Sequence, residues 1–302
     1  MRRNRLDAIG SLGNPNPPPV LGVWTLGSSA HAAPESSTGR RGYGLERMEL
    51  AYDDVGGGPC VVLIHGHPFD RSLWQPQVAA LATDFRVVAP DLRGFGESPV
   101  TPHLVSLREY AEDVEELLAR LGIDQAAIVG LSMGGLVAME LATAHPERCW
   151  ALGLVTTTIE PVSPGERALR RERADLVERD GIQVLVDYMH TGVYGPRCPP
   201  AVRDRVDAMM AGAPVQGAAA ALRGRAERPD YRPRLLQLDV PAFVSTGSDD
   251  PWSNETVTAE ILEHLQRPEL VVIDGVGHLP NLEAEAVFNS ALIGFLTRHA
   301  PR

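Results

Sequence analysis

Along most of the chain, short apolar runs alternate with longer stretches in which apolar residues recur every three or four positions. The runs are Cys60–His65, Arg86–Asp91, Ala126–Leu131, Ala151–Thr156, Pro241–Thr246 and Leu270–Asp274. They are short, rich in β-branched residues and apolar at successive positions, as parallel strands buried on both faces are. Met48–Tyr52 alternates instead, like a half-exposed strand. Leu107–Leu121 places Leu107, Tyr110, Ala111, Val114, Leu117, Leu118 and Leu121 on one helical stripe, and Ser106 with Glu109 forms a capping-box signature at its start. Further helices are expected over Leu136–Ala144, Glu255–Leu265 and Leu282–His299. Strand–helix alternation of this kind predicts an α/β fold built on an open parallel sheet.

One block breaks the alternation. Ser163–Leu238 is rich in Arg, Glu and Ala, helical in character and without a convincing strand. An insertion after a strand's carboxyl end in an open α/β sheet lies over the ligand crevice, so the block reads as a helical cap; the alternative is a peripheral helical decoration. The domain organisation expected is an N-terminal extension (1–41), a core in two parts (42–162 and 239–302), and a cap between them (163–238). Met1-Arg2-Arg3, the short apolar stretch Val20–Leu26 and Ala30-His31-Ala32 allow a secretory signal to be considered. Prolines 15 and 17–19 fall where its apolar helix should begin, which favours a disordered extension.

Composition narrows the chemistry. All 28 basic residues are arginine, so Schiff-base, pyridoxal-lysine and Walker-lysine mechanisms are excluded. A net charge of −11 argues against nucleic-acid partners. Cys60, Cys149 and Cys198 are widely spaced, as reduced thiols of a cytoplasmic protein are. No run approaches a membrane span.

Gly130-Leu131-Ser132-Met133-Gly134 is a GxSxG between an apolar run and a helix, the context a nucleophile elbow requires. Small residues around the serine let chains approach closely, and the Met133 N–H at a helix start faces a developing oxyanion. The serine needs a base, and the base an orienting acid, in the order serine, acid, histidine. Asp249 and Asp250 follow one late apolar run and His278 follows the next, all at the same sheet edge as Ser132. His264 and His299 lie in helical stretches, while His103, His145 and His190 lack a strand-end position.

His65-Gly66-His67-Pro68 ends the run that begins at Cys60. Pro68 has no N–H, so His67 is the expected second oxyanion donor and Phe69 the runner-up. A metal reading of His65, His67 and Asp70 fails on spacing: Asp70 is five residues after His65 and Arg71 follows it. Asp91 with Arg93 is expected to brace the glycine-rich loop Asp91–Ser98.

HGHP at His65–Pro68, DLRGFGES at Asp91–Ser98, GLSMGG at Gly130–Gly135, GSDDP at Gly247–Pro251 and GVGHLPNLE at Gly275–Glu283 occur in order. From about Gly42 onward the chain resembles the α/β-hydrolase superfamily, and within it is most similar to 3-oxoadipate enol-lactonase-like and small carboxylesterase members. The resemblance implies a mostly parallel eight-stranded sheet flanked by helices, with a helical cap after the sixth strand. It also implies a triad of Ser132, His278 and Asp250, and neither metal nor organic cofactor. The expected activity is hydrolysis of a small carboxylic ester or lactone through an acyl-enzyme. A C–C bond hydrolase on the same triad, a haloperoxidase-type side activity, or a non-catalytic ligand receptor are the rival readings. Serine at 132 excludes the aspartate-nucleophile branches, and the HGGPG of proline iminopeptidases is missing. If the substrate is a carboxylate, one of Arg170, Arg171, Arg203, Arg205, Arg223 or Arg225 should face the pocket.

Overall fold

The apolar runs become the strands of one sheet in a computed structural model that describes residues 48–101 and 103–301. The extension expected over residues 1–41 lies outside the described residues. The strands are β1 (Tyr52–Val55), β2 (Cys60–Ile64), β3 (Arg86–Pro90), β4 (Ala126–Leu131), β5 (Cys149–Val155), β6 (Pro241–Gly247) and β7 (Arg267–Ile273). Their order is β1-β3-β2-β4-β5-β6-β7. β1 pairs antiparallel with β3, and every other pairing is parallel.

Successive residues of the central strands serve opposite faces. Val62, Ile64, Val88 and Ile128 enter one core, shared with α2 (Leu107–Arg120) and α3 (Met133–Ala144). Val61, Leu63, Val87 and Val129 enter the other, shared with α1 (Gln75–Leu81) and the last helix. Burial on both faces is why these strands are continuous apolar runs; each such side chain contributes about 1.5–3 kcal/mol.

The edges depart from the sequence pattern. Among the described residues there are seven strands, not the eight the resemblance implies. Met48–Tyr52 does not form the expected strand: Leu50 of that alternation packs into the core, and the ladder to β3 is made by the exposed residues Tyr52–Val55. An edge strand pairs through backbone groups and needs no apolar face, so the pattern marks the packing segment instead. At the other edge, Leu270 and Val272 of β7 are exposed, although their run reads as buried.

The capping box at Ser106 forms as expected. Its hydroxyl accepts from the Glu109 N–H at 3.1 Å, and the Glu109 carboxylate accepts from the Ser106 N–H at 2.7 Å. Between β5 and β6 come five helices: α4 (Pro164–Asp180), α5 (Gln183–Met189), α6 (Pro200–Ala211), α7 (Val215–Arg225) and α8 (Arg232–Leu235). Helix α7 is seated on the β3–α2 loop through glycines two turns apart. A Cβ on Gly217 would lie 1.8 Å from the Gly94 carbonyl oxygen, and one on Gly224 1.8 Å from that of Val105. Helix α9 (Glu255–Glu263) follows β6. The expected terminal helix is two, α10 (Pro280–Glu283) and α11 (Glu285–His299), broken at Ala284, whose φ of −135° and ψ of 51° are not helical. Among the described residues no helix is long and apolar enough to cross a membrane.

Candidate active site

The chain runs from β2 to β3 on one side and returns to place β4 on the other side of β2, so the strand order reverses between β2 and β4. Ligand crevices in open α/β sheets form at the carboxyl ends of such strands. Ile64 of β2 lies opposite Gly130 of β4, so the segments just beyond them, His65–His67 and Ser132, emerge side by side.

Ser132 has φ 54° and ψ −112°, a left-handed strand-to-helix turn that a β-carbon makes costly. The turn survives because its surroundings hold it. The Ser132 N–H donates to the Val155 carbonyl at 2.8 Å, and its own carbonyl accepts from the Thr157 hydroxyl at 2.8 Å. A Cβ at Gly130 would stand 2.0 Å from the Gly134 carbonyl oxygen, and one at Gly134 2.1 Å from that of Ile64. Only glycine fits either side of the elbow.

Asp250 and His278 come from the loops after β6 and β7. Both are buried, and His278 Nδ1 lies 2.8 Å from Asp250 Oδ2. The other Asp250 oxygen accepts from the Trp252 N–H at 2.9 Å. A carboxylate can only accept, so Nδ1 carries a proton, which in the neutral ring leaves the lone pair on Nε2. The His278 ring meets the Trp252 ring edge-on with centroids 4.8 Å apart. Asp249 is exposed.

A cavity of about 380 Å³ opens over these groups. Ser132, His278 and His67 line it, together with residues of the helical segment between β5 and β6. The His67 imidazole is buried; Nε2 lies 3.0 Å from the Ala218 carbonyl and Nδ1 3.4 Å from Arg225 Nη1. Nε2 therefore donates and Nδ1 accepts. Burial, reinforced by the nearby positive charge of Arg225, holds its pKa well below the ordinary histidine value, so the ring is neutral. His65 is a structural strut: Nδ1 donates to the Gly66 carbonyl, and Nε2 accepts from the Leu92 N–H at 2.9 Å. Asp70 caps the Ser72 N–H at 2.8 Å.

Asp91 braces its loop, but not with Arg93. Its carboxylate accepts from the N–H groups of Arg71, at 2.7 Å, and Glu97, at 2.9 Å, and pairs with the Arg71 guanidinium. Arg93 turns instead to Asp113 of α2. The arginines of the helical segment divide. Arg171 pairs with Glu227, Arg223 with Asp175 and Glu178, while Arg203 and Arg205 donate to backbone carbonyls. Arg170 and Arg225 line the cavity. Arg173, Arg228, Trp252 and Thr157 also line it and were not legible as site residues in the sequence. Thr157 had a weak signal, the threonine run that follows β5.

A model of the alpha/beta hydrolase family matches residues 61–291. The chain is 32% identical to 3-oxoadipate enol-lactonase 1 of Acinetobacter baylyi over 242 residues, covering 79% of this chain and 88% of that protein. Among solved structures, a thermophilic esterase from Thermogutta terrifontis superposes with a TM-score of 0.82 at 35% identity, covering 84% of this chain and 95% of that one. The enol-lactonase of Burkholderia xenovorans superposes with a TM-score of 0.77 at 28% identity, covering 83% and 97%.

Proposed function

The chain belongs to the alpha/beta hydrolase family, and from that premise we propose that it is a serine hydrolase cleaving a small carboxylic ester or lactone through an acyl-enzyme. The observation that carries this reading is the buried 2.8 Å contact between His278 and Asp250 beside the strained turn of Ser132. The names of the similar proteins, two enol-lactonases and an esterase, support the bond type.

In this reading Ser132 Oγ attacks the carbonyl carbon and His278 Nε2 takes its proton. Asp250 keeps the proton of Nδ1 in place and stabilises the imidazolium that forms. The oxyanion is held by two backbone donors. Met133 opens α3, so its N–H has no carbonyl four residues back within the helix. The His67 N–H, on the neighbouring strand end, is the second. Collapse of the tetrahedral intermediate expels the alkoxide, which takes the proton from His278. Water, deprotonated by the same Nε2, then attacks the acyl carbon and frees Ser132. Residues 163–238 act as the cap over this site, and residues 42–162 and 239–302 as the core that holds it.

A fluorophosphonate should label the folded protein at Ser132, and Ser132→Ala should lower kcat on a turned-over ester by ~10⁴-fold. Undiminished turnover by that variant, or a folded protein that takes no label, would overturn the reading.

A further inference from the structure

The three groups of the site do not come from neighbouring strands. Ser132 follows β4 and Asp250 follows β6, with β5 between them, but His278 follows β7 and must reach back across the end of β6. Its loop does so by lying on the last residue of β6. A Cβ on Gly247 would stand 2.1 Å from the Val276 carbonyl oxygen and 2.3 Å from that of Gly277. A loop carried over another strand has no ladder to fix where it ends, so its last residue needs an anchor from elsewhere.

The last residue of β5 and the two that follow supply it. Val155, Thr156 and Thr157 are consecutive, and each bonds a loop of the site. The Val155 carbonyl accepts from the Ser132 N–H at 2.8 Å. The Thr156 hydroxyl donates to the His278 carbonyl at 3.0 Å, across 122 residues of chain. The Thr157 hydroxyl donates to the Ser132 carbonyl at 2.8 Å, and the Thr157 carbonyl accepts from the Ser253 hydroxyl, in the loop of Asp250, at 3.2 Å. Thr157 also fills a notch in α3: a Cβ on Gly135 would lie 2.7 Å from its own Cβ.

Thr156 is the strained member. Its φ is 43°, in the left-handed region that a β-branched residue rarely enters. Such a conformation persists only where the surroundings hold it, and it gathers at functional sites. The Thr156 N–H donates to the Ser245 carbonyl of β6 at 2.9 Å, and the residue is buried. The main chain of His278 is thereby held at both its polar groups, because its N–H donates to the Val193 carbonyl at 3.1 Å while its carbonyl accepts from Thr156.

Resting on the serine-hydrolase reading, we propose that Thr156 is a positioning residue of the reaction, whose hydroxyl fixes the main chain of His278 so that the imidazole stands between Asp250 and Ser132. A hydroxyl has one proton, and that of Thr156 is committed to the His278 carbonyl. The residue therefore acts through the base and not on the reacting atoms. A displacement of the base by about 1 Å costs on the order of 10²-fold in rate.

Thr156→Val keeps the branched shape and removes the donor. On a p-nitrophenyl ester its kcat per folded molecule should fall by about 10- to 100-fold. Acylation and deacylation both use His278, so both slow together and KM should stay within about twofold. Labelling by a fluorophosphonate should slow in parallel, and Thr156→Ser, which restores the hydroxyl, should recover most of the loss. A wholly structural threonine would instead lower Tm and leave kcat per folded molecule alone. A kcat for Thr156→Val within about twofold of wild type, or a Thr156→Ser as slow as Thr156→Val, overturns the proposal. If Thr156→Val does not fold, Thr156→Gly carries the test, since glycine takes a positive φ without strain and also lacks the hydroxyl. The same fall in kcat at unchanged KM supports the proposal there, and undiminished kcat overturns it. The two readings fail differently. Wild-type protein labelled at Ser132 beside an equally fast Thr156→Val removes the positioning role alone, whereas wild-type protein that takes no label and turns over no ester overturns the hydrolase reading and this role with it.

Discussion

Asp249 and Asp250 are neighbours in the chain with opposite surroundings: one carboxylate is exposed, the other buried against His278. Asp250→Asn should lower kcat by ~10⁴-fold, because a neutral amide neither fixes the tautomer nor stabilises the imidazolium. Asp249→Asn should leave kcat within about twofold, as exposed substitutions generally do; ester kinetics on both variants check the pair. Sequence placed an acid in this loop, but adjacent identical residues carry no local difference, and burial alone separates them. His67 has a second consequence. Its pKa is depressed by burial and then by Arg225, and burial also depresses that of His65. The unfolded chain binds protons at these rings near pH ~6.5 while the folded chain does not, so acid favours unfolding. Their full contribution to stability is present above that pH and is lost as pH falls. Thermal unfolding followed from about pH 7.5 to about pH 5 should show a falling Tm, with a shallower slope for His67→Gln. An identical slope in the variant would remove His67 as a contributor.

Between elements, Glu283 joins the helical segment to the loop of His278. Its carboxylate accepts from the N–H groups of Gly195 at 2.9 Å, Gly277 at 3.2 Å and Leu279 at 3.3 Å, and the His278 N–H donates to the Val193 carbonyl at 3.1 Å. A Cβ on Gly277 would lie 2.3 Å from the Gly195 nitrogen, so the two loops touch backbone to backbone. Glu283→Ala should cost about 2–4 kcal/mol by stranding these donors, lowering both Tm and kcat, and Glu283→Gln should recover part of each. Calorimetry with ester kinetics checks it; a Tm unchanged by Glu283→Ala would show the tether to be dispensable. The residue stands inside GVGHLPNLE, a motif visible in the sequence, yet its partner Gly195 is 88 residues away. The motif is local and the tether is not. The same limit explains Arg93, whose partner Asp113 lies on α2 rather than in its own loop.

At the scale of the molecule, the described strands of the sheet, the serine turn and the loops bearing Asp250 and His278 lie within residues 48–301, and the family match begins at residue 61. A chain begun at residue 42 should therefore keep kcat within about twofold and an unchanged Tm, because the sheet and site contacts remain; loss of folding in that chain would assign the extension a structural part. The sequence by itself determined the central strands, the capped α2, the glycine-flanked serine turn and the chain order of serine, acid and histidine. The first three are written in contiguous residues, through a two- or 3.6-residue period or a turn that only glycine tolerates, and the fourth in the order of the strand-end loops along the chain. Tertiary structure alone decided which acid is buried and which strands form the edges. It also decided that Arg225, among the described residues, enters the cavity with its Nε buried and without a hydrogen-bond partner. Those outcomes depend on which distant segments cover a residue and which charges they bring, and neither is encoded within one turn of helix or one stretch of strand.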